Sequence, residues 1–147
     1  MWQTDTAHEV PARMSPHRLS LTLLPVSFAL CRLGAAEPVP EWTTSAPTFL
    51  SISRSPDELS IVADDAAVPP HVNAKRGYRA LRIDGPMPLE LVGVMAAIAS
   101  PLAAAGVPIF AIATYDTDYV LIRGDDLSRA VSILVAAGHR VTSAAES

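Results

Sequence analysis

The segment GVPIFAIATYDTDYVLIRGDD, residues 106–126, decides the fold. Two apolar runs, VPIFAIATY (107–115) and YVLIR (119–123), flank Asp116-Thr117-Asp118, and Asp and Thr favour tight connections because their side chains bond their own backbone. The segment reads as two strands joined in a hairpin. On its C-terminal side Asp125 stands as a helix N-cap, and Leu127, Ala130, Val131 and Leu134 recur at helical spacing. Gly138 suits the C-terminal cap, and HRVTS (139–143) makes a last short strand. On its N-terminal side Leu91, Val94, Met95, Ile98, Leu102 and Ala105 form one apolar helical face. Pro88 is tolerated in the first turn of that helix, whereas Pro101 predicts a kink or an early end. Further out, YRALRIDG (78–85) alternates Leu81 and Ile83 with Arg82 and Asp84, as on a half-buried strand.

The order strand, helix, strand, strand, helix, strand over residues 78–143 predicts a ferredoxin-like α+β unit, with both helices on one face of an antiparallel sheet. The first half carries a fainter version of the pattern. Setting TFLSISRSPDELSIVADD against IFAIATYDTDYVLIRGDD aligns Phe49 with Phe110, Asp57 with Asp118, Ile61 with Ile122, and Asp64-Asp65 with Asp125-Asp126, each pair 61 apart. The preceding strands, FALCRL and RALRI, superpose Arg32 on Arg82 at an offset of 50. The missing 11 residues, about three helical turns, fall in AAEPVPEWTTSAP, whose prolines at 38, 40 and 47 forbid a regular helix. Residues 19–65 therefore read as a truncated copy whose first helix has become a loop, with Trp42 filling the helix's place. Residues 66–77, with Pro69-Pro70, read as a linker, and residues 1–18, which lack periodicity, as a disordered extension.

Composition narrows the function. Of 147 residues half are apolar, and 15 acidic against 11 basic side chains give a net charge of −4, so a phosphate-binding surface and a nucleic-acid partner are not expected. The single cysteine, Cys31, excludes an internal disulfide and reads as a small buried hydrophobe; no His/Cys cluster calls for a metal, and no cofactor is expected. Residues 89–113 have the length of a membrane span, but Pro101, Gly106 and Pro108 break them into a helix and a strand. Residues 14–37 imitate a secretory signal, yet Leu30 stands before Cys31 where a lipoprotein cleavage site needs a small residue, and the same stretch is needed as a strand. A cytoplasmic protein without a membrane partner is expected. His8, His17, His71 and His139 fall in loops and termini, where a solvated side chain is the expectation.

Thr114 to Tyr119 concentrate hydroxyls and carboxylates at a hairpin tip, where a carboxylate can pair with a ligand's ammonium or guanidinium group. The Gly85–Leu89 loop leads into a helix whose free N–H groups suit a ligand carboxylate, so the two together could hold a zwitterion. Asp116 and Asp118 alone make a poor case for an enzyme, since no nucleophile elbow, P-loop or dinucleotide fingerprint accompanies them. The small-residue helix face and an open sheet edge predict a homodimer, or pairing of the two halves.

The motifs GVPIFAIATYDTDYVLIR, PDELSIVADDAAVPP, LRIDGP and GVMAAIASPLAAAG resemble those of small bacterial ACT-domain proteins related to the CASTOR-type arginine sensors, over about residues 24 to 140. The resemblance implies two ACT-like units, the first irregular, no catalytic activity, and an amino-acid ligand held at a seam between paired units. It carries ligand contacts onto Ile109, Thr114, Tyr115, Thr117 and Asp118, and onto the 85–89 loop with Gly85 and Met87, with Asp118 facing a cationic end. Two departures stand against arginine as the ligand: Pro108 replaces a small hydroxyl residue, and Ala113 replaces the Ser of STYDTDY. A ligand-free structural or interaction module of the same fold is the alternative reading.

Overall fold

The computed structural model describes residues 18–87 and 92–144. Expectations for residues 1–17, and for Pro88, Leu89 and Leu91, lie outside the described residues. Two long antiparallel strands, β1 (Ser20–Leu33) and β4 (Ala74–Ile83), run side by side from Leu21 opposite Ile83 to Cys31 opposite Ala74. Between Leu23 and Ser27 the register shifts, where Pro25 has no N–H to offer the ladder. The C-terminal part of β1 pairs with β3 (Leu59–Asp64), which pairs with β2 (Leu50–Arg54). On the other side β4 pairs with β6 (Asp118–Arg123), which pairs with β5 (Phe110–Ala113). The order β2-β3-β1-β4-β6-β5 is antiparallel throughout.

This sheet is curled. Phe49, at the mouth of β2, lies with its ring centroid 4.3 Å from that of Tyr119 on β6. In a flat sheet those strands would stand four spacings of about 4.8 Å apart. Inside the curl Leu24, Phe28, Val62, Ala80 and Leu121 form a buried cluster. Outside it, α1 (Val94–Ala104) and α2 (Leu127–Ala136) press Val94, Ile98, Leu102, Ala130 and Leu134 onto Leu21, Leu81, Ile83, Val120 and Ile122. Each helix ends in a left-handed glycine, Gly106 at φ +75° and Gly138 at φ +102°. The bonds from Val107 N to Leu102 O (2.9 Å) and from His139 N to Leu134 O (3.1 Å) close both ends in the same way. α1 passes through Pro101 and stops one turn later, so the apolar run of 89–113 is divided between a short helix and a strand. No helix among the described residues is long and apolar enough to cross a membrane.

Four features differ from expectation. β7 (Arg140–Ser143) does not pair with β4; it lies parallel to Ser20–Leu23 at the start of β1, which has taken the place beside β4. β5 begins at Phe110 rather than Val107, because Val107 belongs to the helix cap and is buried in the core, and Pro108 cannot join a ladder through its nitrogen. His139 is buried, not solvated: its Nδ1 accepts from Leu19 N at 3.1 Å and its Nε2 sits 3.0 Å from Ala97 O. A neutral ring protonated on Nε2 meets both bonds and ties β1, α1 and the end of α2 together. Between β1 and β2 the chain makes one 3-10 turn, Glu41–Ser45, and Trp42 packs there against Cys31, Leu59 and Ile61 with their neighbours. β4 begins at Ala74, inside the stretch 66–77.

Candidate functional site

Beyond the end of β4 the chain turns through Asp84, Gly85 and Pro86 and meets the β5–β6 hairpin. The hairpin tip is closed by Thr114 N and Thr114 Oγ1, which both donate to Thr117 O at 2.8 and 2.9 Å. Thr117 in turn donates its hydroxyl to Ile83 O at 2.5 Å, and Met87 N donates to Asp116 O at 2.9 Å. Two turns from distant parts of the sequence are thereby laced together. Gly85 suits the crossing, since a Cβ there would stand 3.2 Å from Met87 N and 3.3 Å from Asp116 O and Thr117 Cβ, close enough that a neighbour would have to give by a few tenths of an ångström.

The crossing forms one wall of an open cavity of about 480 Å³, within the range of small-molecule sites. Thr22, Arg82, Asp84, Asp116 and Tyr119 line it together with Gly85, Thr114 and Thr117. Thr22 donates its hydroxyl to Asp84 Oδ1 at 2.6 Å, and Arg82 Nη2 lies 3.6 Å from the same oxygen. Asp84 Oδ1 is thus engaged, while the Arg82 and Asp84 side chains stay 40% and 39% exposed and Asp116 is exposed beside them. Both signs of charge meet in one cavity, beside the buried bond from Thr117 Oγ1 to Ile83 O.

Of the seven residues singled out from sequence, Gly85, Thr114 and Thr117 are brought together here. Met87 and Ile109 are half-buried and pack on the core beneath the helices. Tyr115 stands 81% exposed at the hairpin tip. Asp118 is half-buried opposite Ala113, in step with Val120 and Ile122 on the helix side of the sheet, while the cavity takes its neighbour Tyr119. Tyr119 and Asp116 come from the hairpin segment 114–119 singled out above, whereas Thr22, Arg82 and Asp84 are cavity residues that the sequence reading does not include. The alternation in LRIDGP put Arg82 and Asp84 on the face opposite Leu81 and Ile83, which was a usable signal. Thr22 had none, because its place depends on a pairing across sixty residues.

Among the described residues no group of His, Cys, Asp and Glu is arranged to hold a metal ion. Residues 73–136 match the family model of the ACT domain, and residues 26–71 match a second model, of an N-terminal domain. The Agobacterium tumefaciens protein Atu0741 is 33% identical with a TM-score of 0.82, over 88% of this chain and 96% of that one. VC0802 of Vibrio cholerae, a protein of unknown function described as a possible transport protein, is 18% identical at a TM-score of 0.69, over 88% and 97%. The regulatory subunit of aspartate kinase from Thermus flavus shares the fold at 16% identity and a TM-score of 0.55, over 80% and 95%. No curated protein matches.

Proposed function

For a chain that belongs to the family of Atu0741 and carries an ACT domain over residues 73–136, we infer a non-catalytic regulatory module that binds a free amino acid. The observation that carries the reading is the cavity between the end of β4 and the β5–β6 hairpin, where Arg82 can receive a carboxylate and Asp84 and Asp116 an ammonium group. Likeness of fold to an aspartate kinase regulatory subunit supports the regulatory part of the reading. The cavity is open, and among the described residues β5 on the neighbouring edge pairs only with β6 and leaves Phe110 exposed. We propose that a second copy of the chain covers that edge and closes the seam, so that ligand shifts the population of paired states. In the same reading residues 19–65 are a degenerate ACT-like unit, 66–77 its connection, and 78–143 the complete unit.

Titration calorimetry with each of the twenty amino acids tests it. At least one should bind, and Asp116→Ala, an exposed position, should weaken it by roughly tenfold or more, the scale of a lost charge-assisted bond. Asp118→Ala separates the arginine-sensor arrangement, in which that carboxylate faces the ligand, from the cavity described above, in which it does not. No heat from any of the twenty would favour the ligand-free interaction module instead.

A further inference from the structure

One wall of the cavity beside the β5–β6 hairpin is held from the first half of the chain. Thr22 on β1 stands opposite Arg82 on β4, and Arg82 opposite Tyr119 on β6, so the three side chains form a row on one face of the sheet. That face is the inside of the curl, where Tyr119 packs against the cluster of Leu24, Phe28, Val62, Ala80 and Leu121. All three members of the row line the cavity. Directly opposed side chains on neighbouring strands stand about 5 Å apart at Cβ, so the lie of the Tyr119 ring decides how much room is left beside Arg82.

Phe49 sets that ring, although it does not itself line the cavity. Its ring centroid lies 4.3 Å from that of Tyr119 with the planes tilted by 40°, and 6.3 Å from that of Phe28 at 88°, edge to face. Aromatic pairs in such arrangements attract beyond the area they bury. Phe28 is fully buried, so Phe49 bears on Tyr119 from a fixed base. Its backbone is fixed as well: the buried Asp64 carboxylate accepts from Thr48 N and Phe49 N, both at 3.1 Å, and Asp64 stands opposite Phe28 in the β1–β3 register. The contact joins the mouth of β2 to β6, two strands that are not neighbours in the sheet.

We propose that Phe49 is a positioning residue for the cavity: it holds the Tyr119 ring in place and so sets which ligand side chains fit beside Arg82. The inference rests on the amino-acid reading of that cavity, and it gives the first half of the chain a part in binding without a contact to the ligand. Ordering a side chain before the ligand arrives is worth about three- to tenfold in affinity.

Titration calorimetry of the full chain with each of the twenty amino acids, on wild type and on Phe49→Leu, Phe49→Met and Phe49→Tyr, tests it. Both aliphatic variants should bind the preferred amino acid about three- to tenfold more weakly, and should narrow its lead over amino acids of different side-chain size, because a ring no longer held yields space. Phe49→Tyr, which keeps a ring, should restore affinity and ranking. Ile61→Val, a change in the buried cluster on the outer face of the same half, should lower the urea midpoint and leave the ranking unchanged. In a Tyr119→Leu background Phe49→Leu should have no further effect on binding. A wild type that binds none of the twenty would overturn the amino-acid reading and this inference with it. A wild type that binds, with affinity and ranking unchanged in Phe49→Leu and Phe49→Met, would overturn the inference alone. Equal weakening by Phe49→Leu with and without the Tyr119 ring would overturn it too, since Phe49 would then act by another route.

Discussion

The two halves of the sheet are covered by different physical means. In the second half α1 and α2 bury eleven apolar residues in one cluster, from Leu21 to Leu134. In the first half six are buried, the cover is a loop with Trp42, Ala46 and Val72, and Leu50 and Ile52 on β2 remain 39% exposed. What the first half lacks in apolar contact it gains in charge-assisted hydrogen bonds. Buried Asp64 accepts from Thr48 N and Phe49 N, both at 3.1 Å, and fixes the entry to β2. Arg76 pairs with Asp65 at 2.7 Å and also donates to Val68 O and Pro69 O, while Asp65 Oδ2 accepts from Gly77 N. A sheet face that has lost helices can stay closed if ionised side chains hold down the loops that replace them. β1 and β4 belong to both halves, so the two modes of cover support one structure.

The largest expected effect tests that unity. Ile98→Ala removes a fully buried side chain from the second half and should cost about 2–5 kcal/mol. Urea unfolding followed by circular dichroism and by Trp42 fluorescence, in a Trp2→Phe background, should give coincident transitions shifted together. Trp42 fluorescence in the first half unmoved while the helical signal is lost would mean that the halves fold separately. Next in size, Asp64→Ala takes away two hydrogen bonds to a buried carboxylate, each worth about 1.5–3 kcal/mol, and should cost about 3 kcal/mol. If that variant loses less than an exposed-surface change, the first half is held by packing after all, and the contrast between the halves fails.

The hairpin, both helices and their glycine caps were legible because their signals are local: a polar turn between apolar runs, a stripe at helical spacing, a glycine just past it. Element order was readable for the same reason. The position of β1 between β4 and β7 was not, since Ser20 opposite Arg140 is a pairing over 120 residues that leaves no mark in either segment. The site divides along that line. Gly85, Thr114 and Thr117 lie in turns with recognisable chemistry, whereas Thr22 reaches the cavity only through the β1–β4 register. His139 was misjudged as solvated because it follows a capping glycine; its burial comes from β1 and α1, which meet it from far away in sequence.

His139 therefore gives a smaller and more local test of how the second half is sealed. His139→Ala leaves Leu19 N and Ala97 O without their partner and should cost about 1–3 kcal/mol, read as a lower urea midpoint. His139→Gln, which can both donate and accept, should recover part of the loss. Hydrogen exchange should quicken at Leu19 and along β7 and leave β2 and β3 unchanged. A loss spread evenly over both halves would instead place His139 among the groups that hold the whole sheet.

The smallest effect concerns the loop cover of the first half. Cys31 is 3% exposed beneath it, and burial pushes its thiol above the ordinary range, with Arg76 pulling it partly back and Asp65 adding to the rise. A group whose folded value is raised gives its full stabilisation below the unfolded value, about 8.5, and loses it as pH climbs through the folded value. Wild-type stability should accordingly decline as pH rises above about 8.5, and Cys31→Ala should flatten that decline. At pH 8 the thiol should react with a disulfide reagent far more slowly than free cysteine, because both access and the thiolate fraction are low. Trp42→Ala loosens the cover without touching either helix, and should speed the reaction while leaving the helical unfolding signal nearly unchanged. Equal reactivity of wild type and Trp42→Ala would mean that the β-strands themselves, and not the loop, keep water from the first half.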